Sequence, residues 1–394
     1  MGSPAGGARL PTRKGKATSF RGTAGEAMSI VIENMTKNFG STAVLRGIDL
    51  TVESGELLAL LGPSGSGKTT LLKIIAGLEW PNAGGLVVNG QDWLGLAAQQ
   101  RRIGFVFQHY ALFPHMNVRD NIAFGLTVRP RAERPGKSVI AAKVEELLQF
   151  LQIGHLGDRY PAQLSGGQRQ RVALGRALAI EPTVLLLDEP FGALDAAVRR
   201  DLRAWLRRVH EETGSTTIFV THDQEEAFEL ADRVVVMGDG RIEQIGDADR
   251  IHDHPATPFV ARFMGATIEL AVTMSAGRAE APGLDSSRMA RRALPDGPAT
   301  LFLRPGDVTP VADPNGRWRV THCASNGAIL RIDLSDGTTT IPVDLPRRAA
   351  EAKGLATGTP VILRPEAGAI FSDRLAPIVA ESPQAAFPRK EKSL

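Results

Sequence analysis

Gly62-Pro63-Ser64-Gly65-Ser66-Gly67-Lys68-Thr69, with Thr70 behind it, has the residue types and spacing to hold a polyphosphate. Glycines let successive backbone N–H groups turn toward one anion, and a helix starting at the end of such a loop adds its positive pole. Lys68 can reach the terminal phosphates, and the Thr69 hydroxyl suits Mg²⁺. Val184-Leu-Leu-Leu-Asp188-Glu189-Pro190 supplies two carboxylates at the end of an apolar run. Asp188 is placed to hold Mg²⁺ through its water shell, and Glu189 to act as general base toward an attacking water. An acidic pair after a strand is by itself an ordinary helix cap; beside a Gly-Lys-Thr loop the catalytic reading prevails. A third element, Leu164-Ser165-Gly166-Gly167-Gln168, opens an Arg/Ala/Leu-rich segment. It reads either as a simple N-cap or as a second anion cradle. One phosphate loop and one separate cradle suggest that each completes a site on a second copy of the chain.

These residues need strands and helices to aim them. The phosphate loop follows the apolar run Glu56–Leu61 and precedes a helix-period segment, Thr69–Leu78, with Leu71, Ile75 and Leu78 on one face. Further β-type runs are Ile30–Ile32, Val44–Val52, Ile103–Phe107, Val184–Leu187, Thr217–Val220 and Val234–Met237. Val144, Leu147, Leu148 and Leu151 form one helical stripe. Val198, Leu202, Trp205, Leu206 and Val209 form another, with Arg199, Arg200, Arg203, Arg207 and Arg208 expected on its solvated faces. Strands and helices in alternation, with strands apolar on both faces, imply an α/β fold whose sheet is covered by helices. Past Gly265 the texture changes to short alternating runs such as Leu330, Ile332 and Leu334, broken by turns such as Asp336-Gly337. That predicts a small all-β, barrel-like domain over 266–380. Leu301–Asp307 and Val361–Ala367 form a weak internal repeat within it.

With 394 residues, the length suggests two or three domains at roughly 150 residues each. A single cysteine, Cys323, allows neither an internal disulfide nor a cysteine-rich zinc site. No aliphatic run approaches the roughly 18 residues that cross a bilayer as a helix. The net charge of +3 is too balanced to argue for nucleic acid. Residues 1–27, rich in Gly, Ala, Pro, Ser and Thr with a basic cluster at Arg13, Lys14 and Lys16, read as a disordered extension. Met28 opens the first patterned segment and is a candidate natural start, and residues 381–394 read as a flexible tail.

Taken in order, these motifs resemble the ATPase subunit of ABC transporters over about residues 29–265. The phosphate loop is Gly62–Thr69, the Q-loop glutamine Gln108, and the signature Leu164–Gln168. The Walker B carboxylates are Asp188 and Glu189, the D-loop is Ala193-Leu194-Asp195, and the switch histidine is His222. Phe39, in Asn38-Phe39-Gly40, matches the aromatic that stacks on adenine. The resemblance implies a P-loop NTPase domain over 28–265, with a helical subdomain at about 110–180. It implies ATP and Mg²⁺ as cofactors, with Thr69, Gln108 and Asp188 toward the metal and Lys68, Glu189 and His222 as the catalytic groups. It also implies a head-to-tail homodimer in which Ser165 and Gly167 of one copy touch the γ-phosphate bound by Lys68 of the other. Gly166, Gln168 and Asp195 belong to the same nucleotide-binding set. Gly175 departs from the family's usual Ala, at an expected cost of about 0.5–1 kcal/mol to its helix.

Residues 105–116, 121–135, 159–164 and 221–227 look like the sulfate/thiosulfate importer branch, the Pro-Arg-rich stretch 129–135 most of all. The resemblance therefore implies a peripheral motor subunit on the cytoplasmic face of the bacterial inner membrane. Its partners would be two transmembrane permease subunits and, indirectly, a periplasmic substrate-binding protein, with no nucleic acid. Phe113, Pro114 and Met116 would face the permease. Molybdate, iron, a sugar or a polyamine remain open as cargo, and a soluble ABC ATPase is the other class.

Overall fold

The protein is described here from a computed structural model covering residues 29–192, 196–352 and 354–372. The expectations for residues 1–28, Asp195 and 381–394 fall outside these residues.

Two sheets build the first part of the chain. Strands β1 (Ile30–Phe39) and β2 (Thr42–Val52) form an antiparallel hairpin. After β3 (Leu57–Leu61) come β4 (Ala83–Val88) and β5 (Gln91–Asp92), which extend that hairpin into a four-stranded antiparallel sheet, β2-β1-β4-β5. The second sheet takes β3 together with β6 (Ile103–Val106), β7 (Val184–Asp188), β8 (Thr216–Thr221), β9 (Arg233–Gly238) and β10 (Arg241–Gly246). Its order is β10-β9-β3-β8-β7-β6, parallel except for β10. All five residues of β3 and of β7 are buried. This is why both read as unbroken apolar runs: the sheet is packed on its two faces. Leu58, Leu60, Leu186 and Val220 join the core under the antiparallel sheet, while Leu57, Leu61, Leu187 and Phe219 join the core on the other side.

Helix α1 (Lys68–Ala76) follows β3 and packs under the antiparallel sheet. It stops at Gly77 (φ 72°), whose N–H donates to the Ile74 carbonyl while that of Leu78 reaches Lys73. Such a left-handed stop is a glycine's work. It also corrects the predicted stripe: Leu78 lies past the helix and is 45% exposed. Between β6 and β7 the chain inserts α2 (Val118–Thr127), α3 (Lys137–Phe150) and α4 (Gly166–Ala179). A Cβ at Gly175 would come within 2.6 Å of Leu151 and 3.2 Å of Ile122. Glycine therefore lets α4 sit close against its two neighbours, and that contact is the physical reason for the departure from Ala.

Helices α5 (Ala196–Thr213) and α6 (Gln224–Leu230) flank β8. Arg203 corrects a second expectation, since it is buried and not solvated. Its guanidinium lies 2.9 Å from Glu229 and 3.3 Å from Glu225, tying α5 to α6. Two short helices, α7 (Ala248–Asp253) and α8 (Pro258–Phe263), close this part.

The remaining strands are β11 (Ile268–Ser275), β12 (Arg278–Glu280), β13 (Gly297–Leu303), β14 (Val308–Ala312), β15 (Trp318–Asn326), β16 (Ile329–Ser335) and β17 (Thr340–Pro346). A short α9 (Arg347–Ala352) leads to β18 (Pro360–Pro365) and β19 (Ala369–Ser372). They form two antiparallel sheets, β12-β11-β13-β19 and β14-β18-β15-β16-β17, over one shared core that includes Leu301, Val308, Trp318, Ile332 and Leu363. The two repeat segments fall on β13 and β18, in different sheets. Their ends meet where the Glu366 N–H donates to the Asp307 carbonyl, 2.8 Å.

Candidate active site

The parallel strands set the site, because the carboxyl ends of β3, β7 and β8 lie side by side and each delivers chemistry to the same place. The loop after β3 turns through Gly62 (φ 157°), Gly65 (φ 84°) and Gly67 (φ 97°). A Cβ at Gly67 would meet Leu45 at 2.7 Å and the Val44 carbonyl at 2.8 Å, so the start of α1 can press against β2 only without a side chain. Gly65 has nothing within 4 Å on its Cβ side.

Lys68, almost fully buried, folds back over this loop. Its ammonium donates to the carbonyls of Gly62 (2.9 Å) and Pro63 (2.8 Å) and to the Ser66 hydroxyl (3.3 Å). Burial pushes its pKa below the usual lysine value, and the carboxylates of Glu189 and Asp188 pull it back up. Thr69 donates its hydroxyl to Asp188 Oδ1 at 2.7 Å, joining the loop to β7. Asp188 is also buried, and desolvation raises its pKa against the opposing pull of Thr69, Lys73 and Lys68.

This has a consequence for stability. A carboxyl whose pKa is raised by folding binds a proton more readily when folded. Its penalty therefore appears as pH rises from below the ordinary carboxylate range through the raised value, and it persists at neutral pH. Asn at this position keeps an acceptor for Thr69 and removes the charge. Asp188→Asn is expected to raise the Tm of the nucleotide-free protein. Calorimetry checks this; an unchanged or lower Tm would mean that the buried charge carries no net penalty.

Glu189, one residue past β7, has φ 45°, a conformation that a side-chain-bearing residue adopts only where its surroundings impose it. Its N–H donates to the Val220 carbonyl of β8, 3.1 Å. The carboxylate is thereby held between two partners. Gln108 donates its amide to Oε2 at 2.7 Å, and His222 Nδ1 lies 3.5 Å from Oε1. His222 follows β8 directly and is half exposed, leaving one side free for a ligand.

One chain thus gathers Gly62–Thr70, Gln108, Asp188, Glu189 and His222. Phe39 stands at the end of β1 with its ring 48% exposed. The Ser165–Gln168 turn is separate from this cluster. Ser165 caps α4 by accepting from the Gln168 N–H (3.3 Å), and the Gln168 side chain accepts from the Ser165 N–H (2.9 Å). Among the described residues no hydrogen bond or ion pair links this turn to the phosphate loop. A Cβ on Gly167 would meet Val198 at 2.8 Å, so this glycine also sets how closely α4 approaches α5.

Some residues around the site carry no local sequence signal. Arg101, fully buried, caps the far end of α1 through the carbonyls of Ile74 (2.7 Å) and Ile75 (2.9 Å). Behind His222, Thr221 donates to the buried Glu226 and accepts from the Asp223 N–H. Lys37 places its ammonium 4.8 Å from the centre of the Phe39 ring while pairing with Glu79 at 2.8 Å. Arg101 and the Lys37–Glu79 pair act through partners distant in sequence, so no spacing rule announces them.

Residues 45–192 match the family model described as ABC transporter, and 319–366 match that of a TOBE-like domain. A sulfate/thiosulfate import ATP-binding protein of Bradyrhizobium diazoefficiens is 53% identical over 335 residues, covering 83% of this chain and 97% of that one. Its counterpart in Rhodopseudomonas palustris is 52% identical over 353 residues, covering 88% of this chain and all of its own. The Escherichia coli protein of the same description is 58% identical over 281 residues, covering 71% and 77%. Among solved structures, the ATP-binding cassette MJ0796, a dimer in a post-hydrolysis state with ADP and Pi, aligns with a TM-score of 0.51 at 32% identity. That alignment covers 56% of this chain and 98% of the cassette.

Proposed function

The chain belongs to the family of sulfate/thiosulfate import ATP-binding proteins, and from that premise we propose that two copies hydrolyse ATP between them to drive sulfate or thiosulfate uptake. It is an ATPase subunit of an ABC importer, whose fold joins the nucleotide-binding α/β domain to a TOBE-like β-domain. The observation that carries the mechanism is the position of Glu189, clamped between Gln108 and His222 beside the Thr69–Asp188 pair.

The residues fit a magnesium-bound triphosphate. The Lys68 ammonium rests on loop carbonyls that phosphate oxygens would replace, and Asp188 is a buried carboxylate whose present partner is a hydroxyl. Thr69 and Asp188, with the side-chain oxygen of Gln108, would hold the ion. An ion held there would supply positive charge against the phosphates. Glu189 accepts the proton of the attacking water as general base, and His222 orients that water against the γ-phosphate. Phe39 offers its open ring face to adenine. Ser165 and Gly167 of the second copy complete the γ-phosphate contacts with a hydroxyl and helix N–H groups.

At the permease side, Arg176 of α4 donates to the carbonyls of Ala111 (2.6 Å) and Tyr110 (3.0 Å), two consecutive residues with positive φ. Phe113 packs on Phe124 of α2 at 4.3 Å. Gln108 and this braced surface lie within a few residues of each other, which supports a direct mechanical path from the nucleotide to two permease subunits at the cytoplasmic face of the inner membrane.

Labelled-sulfate uptake in a strain lacking this chain tests the cargo. Loss of uptake, restored by the wild-type chain and not by an inactive one, is the expected result. Uptake that continues unchanged in a strain with no second sulfate importer would assign the motor to another cargo, such as molybdate.

A further inference from the structure

His222 is a single residue between a strand and a helix: Thr221 ends β8 and Asp223 caps α6. Its side chain is 56% exposed, so packing does little to fix the ring. What sets the imidazole 3.5 Å from Glu189 is therefore the backbone turn that carries it.

That turn is closed by side chains, and one carboxylate stands behind them. Thr221 Oγ1 accepts the Asp223 N–H at 3.0 Å, a bond that spans His222. The same hydroxyl donates to Glu226 Oε2. A hydroxyl has one proton to give, and committing it to a carboxylate leaves its lone pairs free to accept the Asp223 N–H. Asp223 accepts in turn from the N–H groups of Glu225 (2.9 Å) and Glu226 (3.3 Å), which ties the first turn of α6 back to the same loop. Thr221 and Glu226 are both buried, so bulk water does not compete for either group.

A buried carboxylate is costly unless it is paired and hydrogen-bonded. Arg199 of α5 offsets part of that cost, its guanidinium lying 3.6 Å from Glu226 and 3.5 Å from Asp223. Glu226 itself stands outside the nucleotide cluster. Among the described residues no hydrogen bond or ion pair joins it to Lys68, Asp188 or Glu189. Its route to the chemistry runs through Thr221 and the turn.

We propose that Glu226 is a positioning residue for ATP hydrolysis, holding the Thr221 hydroxyl so that the turn keeps the His222 imidazole beside Glu189. The proposal rests on the reading of His222 as the group that orients the attacking water, and it adds what fixes the direction of that group.

The test removes both partners of the buried hydrogen bond at once. Thr221→Val with Glu226→Leu puts apolar groups in place of a hydroxyl and a carboxylate, which a fold tolerates better than the loss of one partner alone. Turnover, nucleotide affinity and Tm are measured for this double variant of the full chain. The same two changes are then made in a chain carrying His222→Ala, with single-turnover assays for the slow variants. In the otherwise wild-type chain kcat should fall about 10- to 100-fold with nucleotide affinity retained, the scale of loss that a displacement of about 1 Å brings. In the His222→Ala chain the two changes should bring no further loss, whereas a merely structural defect would slow both chains. Thr221→Ser keeps the hydroxyl and should turn over as the wild type does. Wild-type kcat in the double variant, a loss of equal size in both chains, a matching fall in nucleotide affinity, or Thr221→Ser as slow as the double variant would overturn the proposal. His222→Ala turning over like the wild type would remove the water-orienting role and the positioning with it, so the two failures are told apart.

Discussion

Glu189→Gln is expected to lower ATP turnover by about 10²–10⁴-fold while nucleotide binding stays intact, the range that a positioned general base contributes. The structure makes this a clean substitution. Glutamine is nearly isosteric with the carboxylate, so the left-handed backbone at Glu189 and its N–H bond to Val220 need not change. What is lost is the anionic oxygen that faces His222 at 3.5 Å, along with its capacity to take a proton from water. The amide can still pair with Gln108, as one side-chain amide to another. Steady-state phosphate release measured beside nucleotide titration separates the two effects. Turnover within tenfold of wild type would remove Glu189 from the base role and leave the strained backbone there without a function.

Lys68→Ala is expected to act on binding as well as on chemistry. In the free protein the ammonium satisfies two loop carbonyls and a hydroxyl, and burial works against its charge. A triphosphate would add negative charge to that of the nearby Glu189 and Asp188 carboxylates, so much of the lysine's value is realised only when nucleotide is bound. A hydrogen bond to a charged partner is worth about 1.5–3 kcal/mol, which predicts a loss of nucleotide affinity of roughly 10- to 150-fold. Turnover should fall further, because the same ammonium faces charge that grows on the transferring phosphoryl group. Titration with a fluorescent nucleotide checks the first number; affinity unchanged from wild type would mean that the backbone N–H groups alone hold the phosphates.

Much of the candidate site is legible in the sequence. The Gly-Lys-Thr loop, Asp188-Glu189 and His222 each follow a buried parallel strand, and such strands announce themselves as apolar runs with chemistry at their carboxyl ends. The run Glu56–Leu61 is β3 (Leu57–Leu61) with one residue added at its start. Periodicity was less reliable where a short-range terminator intervened: Leu78 matches the helical stripe, but Gly77 ends the helix before reaching it. One arginine was misplaced for a related reason. Arg203 reads as a solvated charge on its helix and is buried because Glu225 and Glu229 meet it in space. Gly175 and Gly167 show the same limit for packing: only the approach of α2, α3 and α5 reveals why a Cβ has no room. The sequence offers two anion cradles as possible half-sites, and the Ser165–Gln168 hydrogen bonds close on themselves, separate from those of the phosphate loop.

That separation is where the account is most exposed. Ser165→Asp retains a favourable N-cap for α4 but would set a carboxylate against the partner's γ-phosphate. Sedimentation of the Glu189→Gln chain with MgATP, with and without Ser165→Asp, gives the most direct reading. The account predicts an ATP-dependent dimer for the single variant and a monomer that still binds nucleotide for the double variant. A double variant that dimerises as well as the single one, or a single variant that binds ATP tightly and stays monomeric, would contradict a nucleotide site shared between two chains.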